Sequence, residues 1–443
     1  MGKKLGLAAL IWVIFTIVCG GPYGIEEAVP ITGPGLTLIL VLLIPLFWSA
    51  PISLMTAELS SALPQEGGYI RWVERAMGRF FSFQAGWLAW IRNIVDSSLY
   101  PVIFADYLRF WFPSINPTER WLICIGLIAI FALLNLAEIR IVGISSVLLS
   151  INVLLPFFIM VVFGFLHFQH SPWIPLIPPG NVFWGSFGMG LMIIIWNYNG
   201  WEDFVPCLGE IESPRKNYPR ALLITVPMIA GIYFLSLYAS LCSSHGWAGW
   251  RSGSFSDVGA QVGGSWLGIW LTLAIMVGAA NQLMAIILST SRIPFALAQR
   301  RFLPAVFLKT LPRTGVPWVA VLFCSVAIAL MTNLSFVNLI EIEIYLYGAL
   351  FLLEYLSLVF LRVKEPHLPR EIRVPGGLAG AIFIGLPPLA VILTAVFTGG
   401  FKFVPVFLSV LAAGIILYFP FQVWFKQKGP INQNDEISKS PSD

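Results

Sequence analysis

Long apolar runs separated by short polar stretches dominate the chain. A helix needs about 20 consecutive apolar residues to cross the hydrocarbon core of a bilayer. The runs lack the two-residue alternation of membrane-barrel strands, which favours helices. The pattern therefore predicts an all-α integral membrane protein with twelve transmembrane helices, at 5–31, 34–60, 80–111, 120–136, 142–167, 183–209, 220–243, 265–299, 316–332, 335–361, 379–398 and 402–425.

Charge is scarce along the whole chain. Of its 443 residues, 58% are hydrophobic and 11% are charged, whereas about 25% of the residues of a soluble domain are charged. A soluble fold of this length would need more polar surface, so the outer surface is predicted to face lipid. Lys3 and Lys4 precede the first run as in a signal peptide. That run is longer than a signal sequence, and we expect it to be retained as the first helix.

Positive charge is distributed unequally between the two sides of this arrangement. With a cytoplasmic N-terminus, all but five of the 26 Lys and Arg residues fall in cytoplasmic segments, the exceptions being Arg92, Arg109, Arg120, Arg251 and Lys402. Cytoplasmic loops of membrane proteins carry such an excess, so both termini are predicted to be cytoplasmic. The same rule explains the net charge of +4 without a nucleic-acid partner. The short loops favour a bacterial inner membrane as the location.

The chain carries few of the features that enzymes and ATP-driven pumps require. Its five cysteines show no CxxC spacing, and neither HExxH nor a GxxxxGK[ST] phosphate loop occurs. We predict no disulfide framework, no metal and no cofactor, and expect any energy to come from an ion or substrate gradient. A membrane-embedded enzyme would need a nucleophile with a base at membrane depth. The acids of this chain lack histidine partners, so the protein is predicted not to be an enzyme.

The first and sixth runs share an interruption of the apolar pattern. Residues 20–27 read Gly-Gly-Pro-Tyr-Gly-Ile-Glu-Glu and residues 196–203 read Trp-Asn-Tyr-Asn-Gly-Trp-Glu-Asp, so Gly-x-acid-acid occurs twice. Paired broken helices in the two halves of a chain indicate the binding site of an inverted-repeat transporter. The alternative is that Gly and Pro only kink packed helices, which is common in membranes.

Unwinding at mid-membrane frees carbonyl oxygens at one half-helix end and N–H groups at the start of the next. An ammonium can bind the former and a carboxylate the latter. We therefore predict substrate contacts from Gly20, Gly21, Pro22, Tyr23, Gly24 and Glu26 in the first break, and from Trp196, Asn197, Asn199, Gly200, Trp201 and Glu202 in the second.

Motifs along nearly the whole chain resemble the amino acid–polyamine–organocation transporter superfamily. The closest resemblance is to its polyamine-uptake branch, which is similar to the L-type amino acid transporters. The matching motifs are residues 20–27, Glu-Gly-Gly-Tyr at 66–69, Phe-Gln-x-Gly-Trp at 83–87, Leu-Tyr-Pro at 99–101, Asp-Tyr-Leu at 106–108, the helix-six stretch at 196–202, Gly-Glu-Ile-Glu-x-Pro-Arg-Lys at 209–216, Arg-Val-Lys-x-Pro at 362–366 and Arg-Val-Pro at 373–375.

The resemblance implies a five-plus-five inverted repeat with broken helices one and six, working by alternating access. The implied divisions are a first half at 1–170 (helices one to five), a second half at 171–365 (helices six to ten), accessory helices eleven and twelve at 366–425, and a disordered cytoplasmic tail at 426–443. Two departures are visible. Ala285-Ile286-Ile287 replaces a helix-eight carboxylate usual in the branch, and helix five has no lysine near Asn152, so lysine-based coupling is not expected.

Ionisable residues inside the apolar runs are expensive in hydrocarbon, by at least about 2.5 kcal/mol each at the centre. Asp96 in helix three is the leading candidate for binding a substrate amine. Arg92 lies one turn earlier on the same face and offers the alternative that it neutralises Asp96. Trp201 and Tyr100 are candidates for cation–π contacts with an amine.

The acids after the two breaks have two interpretations. Glu26, Glu27, Glu202 and Asp203 either cap or gate the second half-helices or contact the substrate directly. Direct contact would favour a cation without a carboxylate. Glu27 and Asp203 are assigned to coupling or gating.

Three acids in helix ten complete the set. We assign Glu354 to coupling or gating. Glu341 and Glu343 lie near the predicted outer end of that helix, and we interpret them as a solvated rim.

Together these features predict a secondary-active transporter of amino acids or polyamines in the lipid bilayer. We expect it to be proton-coupled or an exchanger, with Na⁺ coupling less favoured. The alternatives are an amino acid permease in which the membrane acids only cap or gate, a channel, and a membrane-embedded enzyme. Discontinuous helices favour an occluded site over a channel's continuous path.

Overall fold

A computed structural model describes residues 5–63, 68–137, 146–203, 211–244 and 246–426. Within these ranges the fold is all-α, and β-type pairing is limited to an isolated bridge between Leu5 and Ile211. The helices are α1 (Leu7–Val18), α2 (Ala28–Thr32), α3 (Pro34–Ile44), α4 (Ala50–Ala62), α5 (Gly68–Met77), α6 (Arg79–Leu108), α7 (Pro117–Leu136), α8 (Ser146–Leu166), α9 (Phe183–Asn197), α10 (Pro214–Ser243), α11 (Ser254–Gly263), α12 (Ser265–Gln299), α13 (Trp318–Met331), α14 (Phe336–Lys364), α15 (Gly377–Gly399) and α16 (Val404–Lys426).

Helical segments occupy every predicted apolar run, although some runs contain more than one. The first run holds α1 and α2, and the second holds α3 and α4 joined by a π-helical turn at Pro45–Ser49. Six helical segments within the described ranges are long and apolar enough to cross a membrane. They are Pro34–Ala62, Pro117–Leu136, Lys216–Ser243, Ser265–Gln299, Phe336–Lys364 and Gly377–Gly399, and five shorter apolar helices accompany them.

Two short helices were not anticipated. α5 and α11 are amphipathic and lie between the apolar runs. The tail after Lys426 and the stretch 204–210, which includes part of the predicted sixth run, lie outside the described residues.

The break in the first run is visible in the backbone. α1 ends at Val18, and the chain continues through Gly20 (φ +58°) and Gly24 (φ +84°) into a 3₁₀ turn at Ile25–Glu27 before α2 begins. These left-handed angles favour glycine. A Cβ on Gly24 would lie 2.7 Å from the ring of Phe336, so the close approach of α14 also requires glycine.

The sixth run breaks in the same manner. α9 ends at Asn197, and Gly200 adopts φ +98° in the turn that leads to Asp203. Both interruptions therefore separate helical geometry from a non-helical segment that carries polar residues, as the sequence predicts.

α6 is the central helix of the bundle. It packs against both α12 and α14, and most of its length is buried. The outer helices α7, α15 and α16 instead leave large apolar side chains more than half exposed, such as Leu133, Phe383 and Ile416. Such apolar surface suits lipid rather than water, and it leaves α6 as the scaffold for any polar site in the interior.

Candidate functional site

One face of α6 presents three polar side chains to the two breaks. Arg92, Asp96 and Tyr100 follow each other at four-residue spacing, which places them on consecutive turns of the same face. Arg92 and Asp96 are 4% and 9% exposed. Polar side chains are therefore concentrated on this buried face of α6, within an otherwise apolar interior.

A cavity lies between this face and the broken helices. The empty space there is about 440 Å³, including the part that is open to solvent. Its lining combines all three α6 residues with residues from both breaks: Ile17, Val18, Cys19, Tyr23, Arg92, Asp96, Tyr100, Trp196, Asn197, Asn199, Gly200, Asp203, Tyr233 and Gln282.

Asp96 faces this cavity and is held by the second break. Its carboxylate accepts a hydrogen bond from Trp196 Nε1 at 3.1 Å. Among the described residues no ion pair to Asp96 is formed within 4.0 Å. Arg92 acts on Asp96 through its charge from the neighbouring turn, without direct contact. The carboxylate of Asp96 remains available to a cation in the cavity.

The guanidinium of Arg92 turns instead towards two glutamates on other helices. Its Nε lies 3.0 Å from Glu343 Oε1 on α14, and its Nη1 lies 3.5 Å from Glu202 Oε1 after the second break. The guanidinium also lies 4.6 Å from the ring centroid of Tyr347, a cation–π distance. One buried arginine therefore ties α6 to α14 and to the second break.

Neutral groups complete the coordination of Glu343. The side-chain amide of Asn199 donates to both carboxylate oxygens of Glu343 at 3.4 Å, and its own oxygen accepts from Trp48 Nε1 at 3.1 Å. Buried ion pairs persist only when additional hydrogen bonds satisfy their remaining polar atoms. Asn199 supplies these hydrogen bonds to Glu343 and links the second break to the Arg92–Glu343 ion pair.

The interpretation of Glu341 and Glu343 as a solvated rim is wrong. Both are buried, at 2% and 0% exposure. Their helix begins at Phe336 and packs against α6 along its length, so Glu343 already lies two turns inside the bundle. A signal was present in the sequence, because a lone arginine inside helix three needs an anion on a neighbouring helix.

The two acids after the second break differ in environment. Glu202 is 2% exposed, and its Oε2 has no hydrogen-bond partner among the described residues. Asp203 is exposed and lines the cavity. Glu202 therefore belongs to a buried cluster with Arg92 and Glu343, the Arg92 cluster, whereas Asp203 belongs to the cavity.

The acids after the first break lie outside the cavity lining. Glu26 Oε1 accepts from the Tyr107 hydroxyl at 2.5 Å and from the Gly253 N–H at 3.2 Å. Glu27 accepts from the N–H and the hydroxyl of Ser252 at 2.7 and 2.8 Å. These contacts clamp the first break to the loop before α11, an arrangement that fits capping or gating. Glu26 is thus not brought together with Asp96, although it was predicted to contact substrate.

Aromatic residues of the two breaks are placed differently from one another. Tyr23 lines the cavity, and its hydroxyl is buried without a hydrogen-bond partner among the described residues. Trp201 is 1% exposed, donates to the carbonyl of Tyr198 at 2.7 Å, and is absent from the described lining. Tyr100, rather than Trp201, therefore lines the cavity.

The remaining predicted residues surround the cavity without lining it in the described part of the chain. Gly20, Gly21, Pro22 and Gly24 shape the backbone of the first break next to Tyr23. Glu354 is 3% exposed and lies on α14, eleven residues after Glu343. At about 100° per residue this spacing returns to the same helix face.

A second buried ion cluster lies at the far end of α14. Arg362 approaches Glu58 of α4 through two hydrogen bonds of 2.5 and 2.6 Å, and Arg370 Nε lies 3.1 Å from the same carboxylate. The N–H of Val374 donates to Glu58 as well, at 2.7 Å. Arg362 is about 28 Å along the helix from Glu343 at 1.5 Å per residue. The cavity thus lies between this cluster and the Glu26–Glu27 contacts.

Comparisons with known proteins agree with this arrangement. The family model described as amino acid permease matches residues 5–435. The polyamine transporter PUT1 of Oryza sativa subsp. japonica is 33% identical over 417 residues, covering 94% of this chain and 78% of the relative. The polyamine transporter RMV1 of Arabidopsis thaliana is 32% identical over 425 residues, covering 94% and 84%. The aspartate-proton symporter of Bacillus subtilis (strain 168) is 28% identical over 399 residues, covering 84% and 74%.

The chain belongs to the amino acid permease family of the amino acid–polyamine–organocation superfamily. It is accordingly a multi-pass membrane protein of a transporter family whose members carry small amines or amino acids. The resemblance recognised from the motifs is confirmed.

Proposed function

We propose that the protein is a secondary-active transporter of small organic cations of the polyamine class, working by alternating access. The observation that carries the proposal is the charge of the cavity. Asp96 and Asp203 present carboxylates to it, while Arg92, the one described cation in its lining, is already engaged by Glu343 and Glu202. An amine is attracted to such a site, whereas a substrate carboxylate meets like charge.

The architecture supports a gated cycle. We infer twelve membrane crossings with cytoplasmic termini, built as two inverted halves at 1–170 and 171–365 followed by the accessory helices, in a cell membrane of bacterial type. The contacts of Glu26 and Glu27 would close one end of the cavity, and the Glu58–Arg362 cluster the other. Glu27, Asp203 and Glu354 are proposed to take part in gating or in proton coupling, or in exchange.

Amino acid permease activity is the second candidate. It is supported by the position of Arg92 in the cavity lining, because a guanidinium released from Glu343 could hold a substrate carboxylate. The names of the relatives include both classes, polyamine transporters at 33% and 32% identity and an aspartate-proton symporter at 28%.

The deciding experiment is uptake of radiolabelled putrescine, spermidine, arginine and leucine into proteoliposomes. We expect saturable amine uptake that shows counterflow and falls at least tenfold in Asp96→Asn, because that variant removes the cavity carboxylate held by Trp196. Asp257→Asn is the matched control, since Asp257 is an exposed acid on α11 outside the cavity lining. Leucine or arginine uptake that survives Asp96→Asn would contradict the polyamine proposal and favour the permease.

A further inference from the structure

Four carboxylates near the polar face of α6 fall into two groups according to their contact with Arg92. Glu202 and Glu343 are committed to the guanidinium, at 3.5 and 3.0 Å. Asp96 and Asp203 face the cavity without an ion-pair partner among the described residues. The cation that separates the two groups is the Arg92 side chain, which is a permanent part of the site.

Arg92 also lies between these two groups. It lines the cavity, and the glutamates that it binds do not appear in the described lining. Tyr347 lies against the guanidinium at 4.6 Å, and Asn199 donates a hydrogen bond to Glu343. The guanidinium therefore occupies the position in which a further substrate ammonium would find two buried carboxylates.

Two observations indicate that the glutamates around Arg92 would accept another cation if the guanidinium were removed. Glu202 Oε2 is buried without a hydrogen-bond partner in the described ranges, and Arg92 balances two acids with one charge. The hydroxyl of Tyr23, on the cavity side, is likewise unpartnered there. Unsatisfied buried polar atoms are uncommon in proteins, so the cavity side is suited to ammonium groups and the glutamate side becomes so only when the guanidinium is absent.

We propose that Arg92 acts as a built-in cation that sets the charge of the substrate: it restricts the site to diamines, whose two ammonium groups pair with Asp96 and Asp203, and excludes triamines and tetramines. This inference rests on the proposed function and adds the substrate subclass to it. Arg92 is a specificity-determining residue that acts by occupying two carboxylates, and its side chain takes the place of a third ammonium.

The test compares kcat/KM for putrescine and spermidine in proteoliposomes containing wild type, Arg92→Gln or Arg92→Lys. Wild type is expected to favour putrescine at least tenfold. Arg92→Gln removes the charge, releases both glutamates and should shift the putrescine-to-spermidine ratio at least tenfold towards spermidine, mainly through KM. Arg92→Lys keeps one cation and should stay within about threefold of the wild-type ratio. Arg109→Gln, outside the cavity lining, is the control and should behave as wild type.

A second variant guards against misfolding, because Arg92→Gln leaves two buried acids without their cation. Arg92→Gln/Glu343→Gln removes one positive and one negative charge, so the cluster keeps its wild-type net charge while Glu202 becomes free. It should also shift selectivity at least tenfold towards spermidine. A folded variant of either kind that transports both amines in the wild-type ratio overturns the proposal.

Wild-type protein supplies an independent measurement. In detergent, putrescine should raise the thermal midpoint more than spermidine or spermine at equal concentration, because bound ligand stabilises the state that binds it. Equal or greater stabilisation by spermine overturns the Arg92 proposal even if amine uptake is present. Absence of any amine uptake or stabilisation in wild type would instead contradict the proposed function.

Discussion

The indole N–H of Trp196 donates to the carboxylate of Asp96 at 3.1 Å. This bond joins the end of α9, where the second break begins, to the middle of α6. It orients the carboxylate that we propose to bind the amine, and it makes that orientation depend on the state of the break.

Replacing Trp196 by Phe should weaken amine binding. The substitution removes the donor but keeps a ring that can pack edge-on against Phe336, as Trp196 does now. A hydrogen bond to a charged group contributes about 1.5–3 kcal/mol, so we expect KM to rise about tenfold with a small change in kcat. Trp184→Phe, at a 59% exposed position of α9, should leave KM unchanged. An unaltered KM in Trp196→Phe would show that the bond does not position Asp96.

Gly24→Ala should abolish transport. Gly24 has φ +84°, and an added Cβ would lie 2.7 Å from the Phe336 ring, so the substitution both strains the backbone and separates the first break from α14. Uptake is expected to fall by more than tenfold while the protein still inserts into the membrane. Gly126→Ala on α7, where nothing lies within 4 Å, is the control. Normal uptake in Gly24→Ala would mean that the break tolerates rearrangement.

The buried cluster at the end of α14 should contribute far more to stability than a surface pair at the same end. Glu58→Gln leaves Arg362 and Arg370 without their carboxylate, and removing one partner of a buried pair costs about 3–5 kcal/mol. The exposed pair of Arg75 and Glu365 at 2.7 Å serves for comparison. Glu365→Gln should leave the thermal midpoint in detergent unchanged, because exposed pairs are screened by water. Equal midpoint shifts in the two variants would contradict this ranking.

Tyr107→Phe should slow turnover more than it weakens binding. Tyr107 donates to Glu26 at 2.5 Å, outside the cavity lining. Losing the donor leaves a buried carboxylate with the Gly253 N–H as its described partner, which perturbs the contact between the first break and the loop. We expect kcat to fall several-fold with KM within about twofold. Tyr355→Phe, which removes a bond to the Ile382 carbonyl, is the control. A change confined to KM would place Glu26 in substrate binding instead.

Local sequence patterns predicted most of the helices because membrane burial imposes a simple rule. The apolar runs correspond to helical segments. The two breaks contain Gly20, Gly24 and Gly200, whose left-handed backbone angles favour glycine. Both features depend on neighbouring residues along the chain. The amphipathic α5 and α11 were missed because they are too polar for a search based on apolar runs.

The partners of Arg92 could not be chosen from spacing alone. Asp96 lies one turn away on the same helix, whereas Glu202 and Glu343 lie 110 and 251 positions further along the chain. The choice depends on how closely α14 and the second break approach α6, which is a property of the tertiary packing. Glu343 was assigned to a rim for the same reason, since distance from a predicted helix end does not measure depth in the bundle.

The shared guanidinium has a mechanical consequence. Glu202 follows the second break, whereas Glu343 belongs to the continuous helix α14. If the break moves relative to α6 and α14, the contact of Arg92 with Glu202 changes while its contact with Glu343, between two continuous helices, is kept. The motion then opens one ion pair and keeps the other, so the cation is not left without an anion in the interior of the protein.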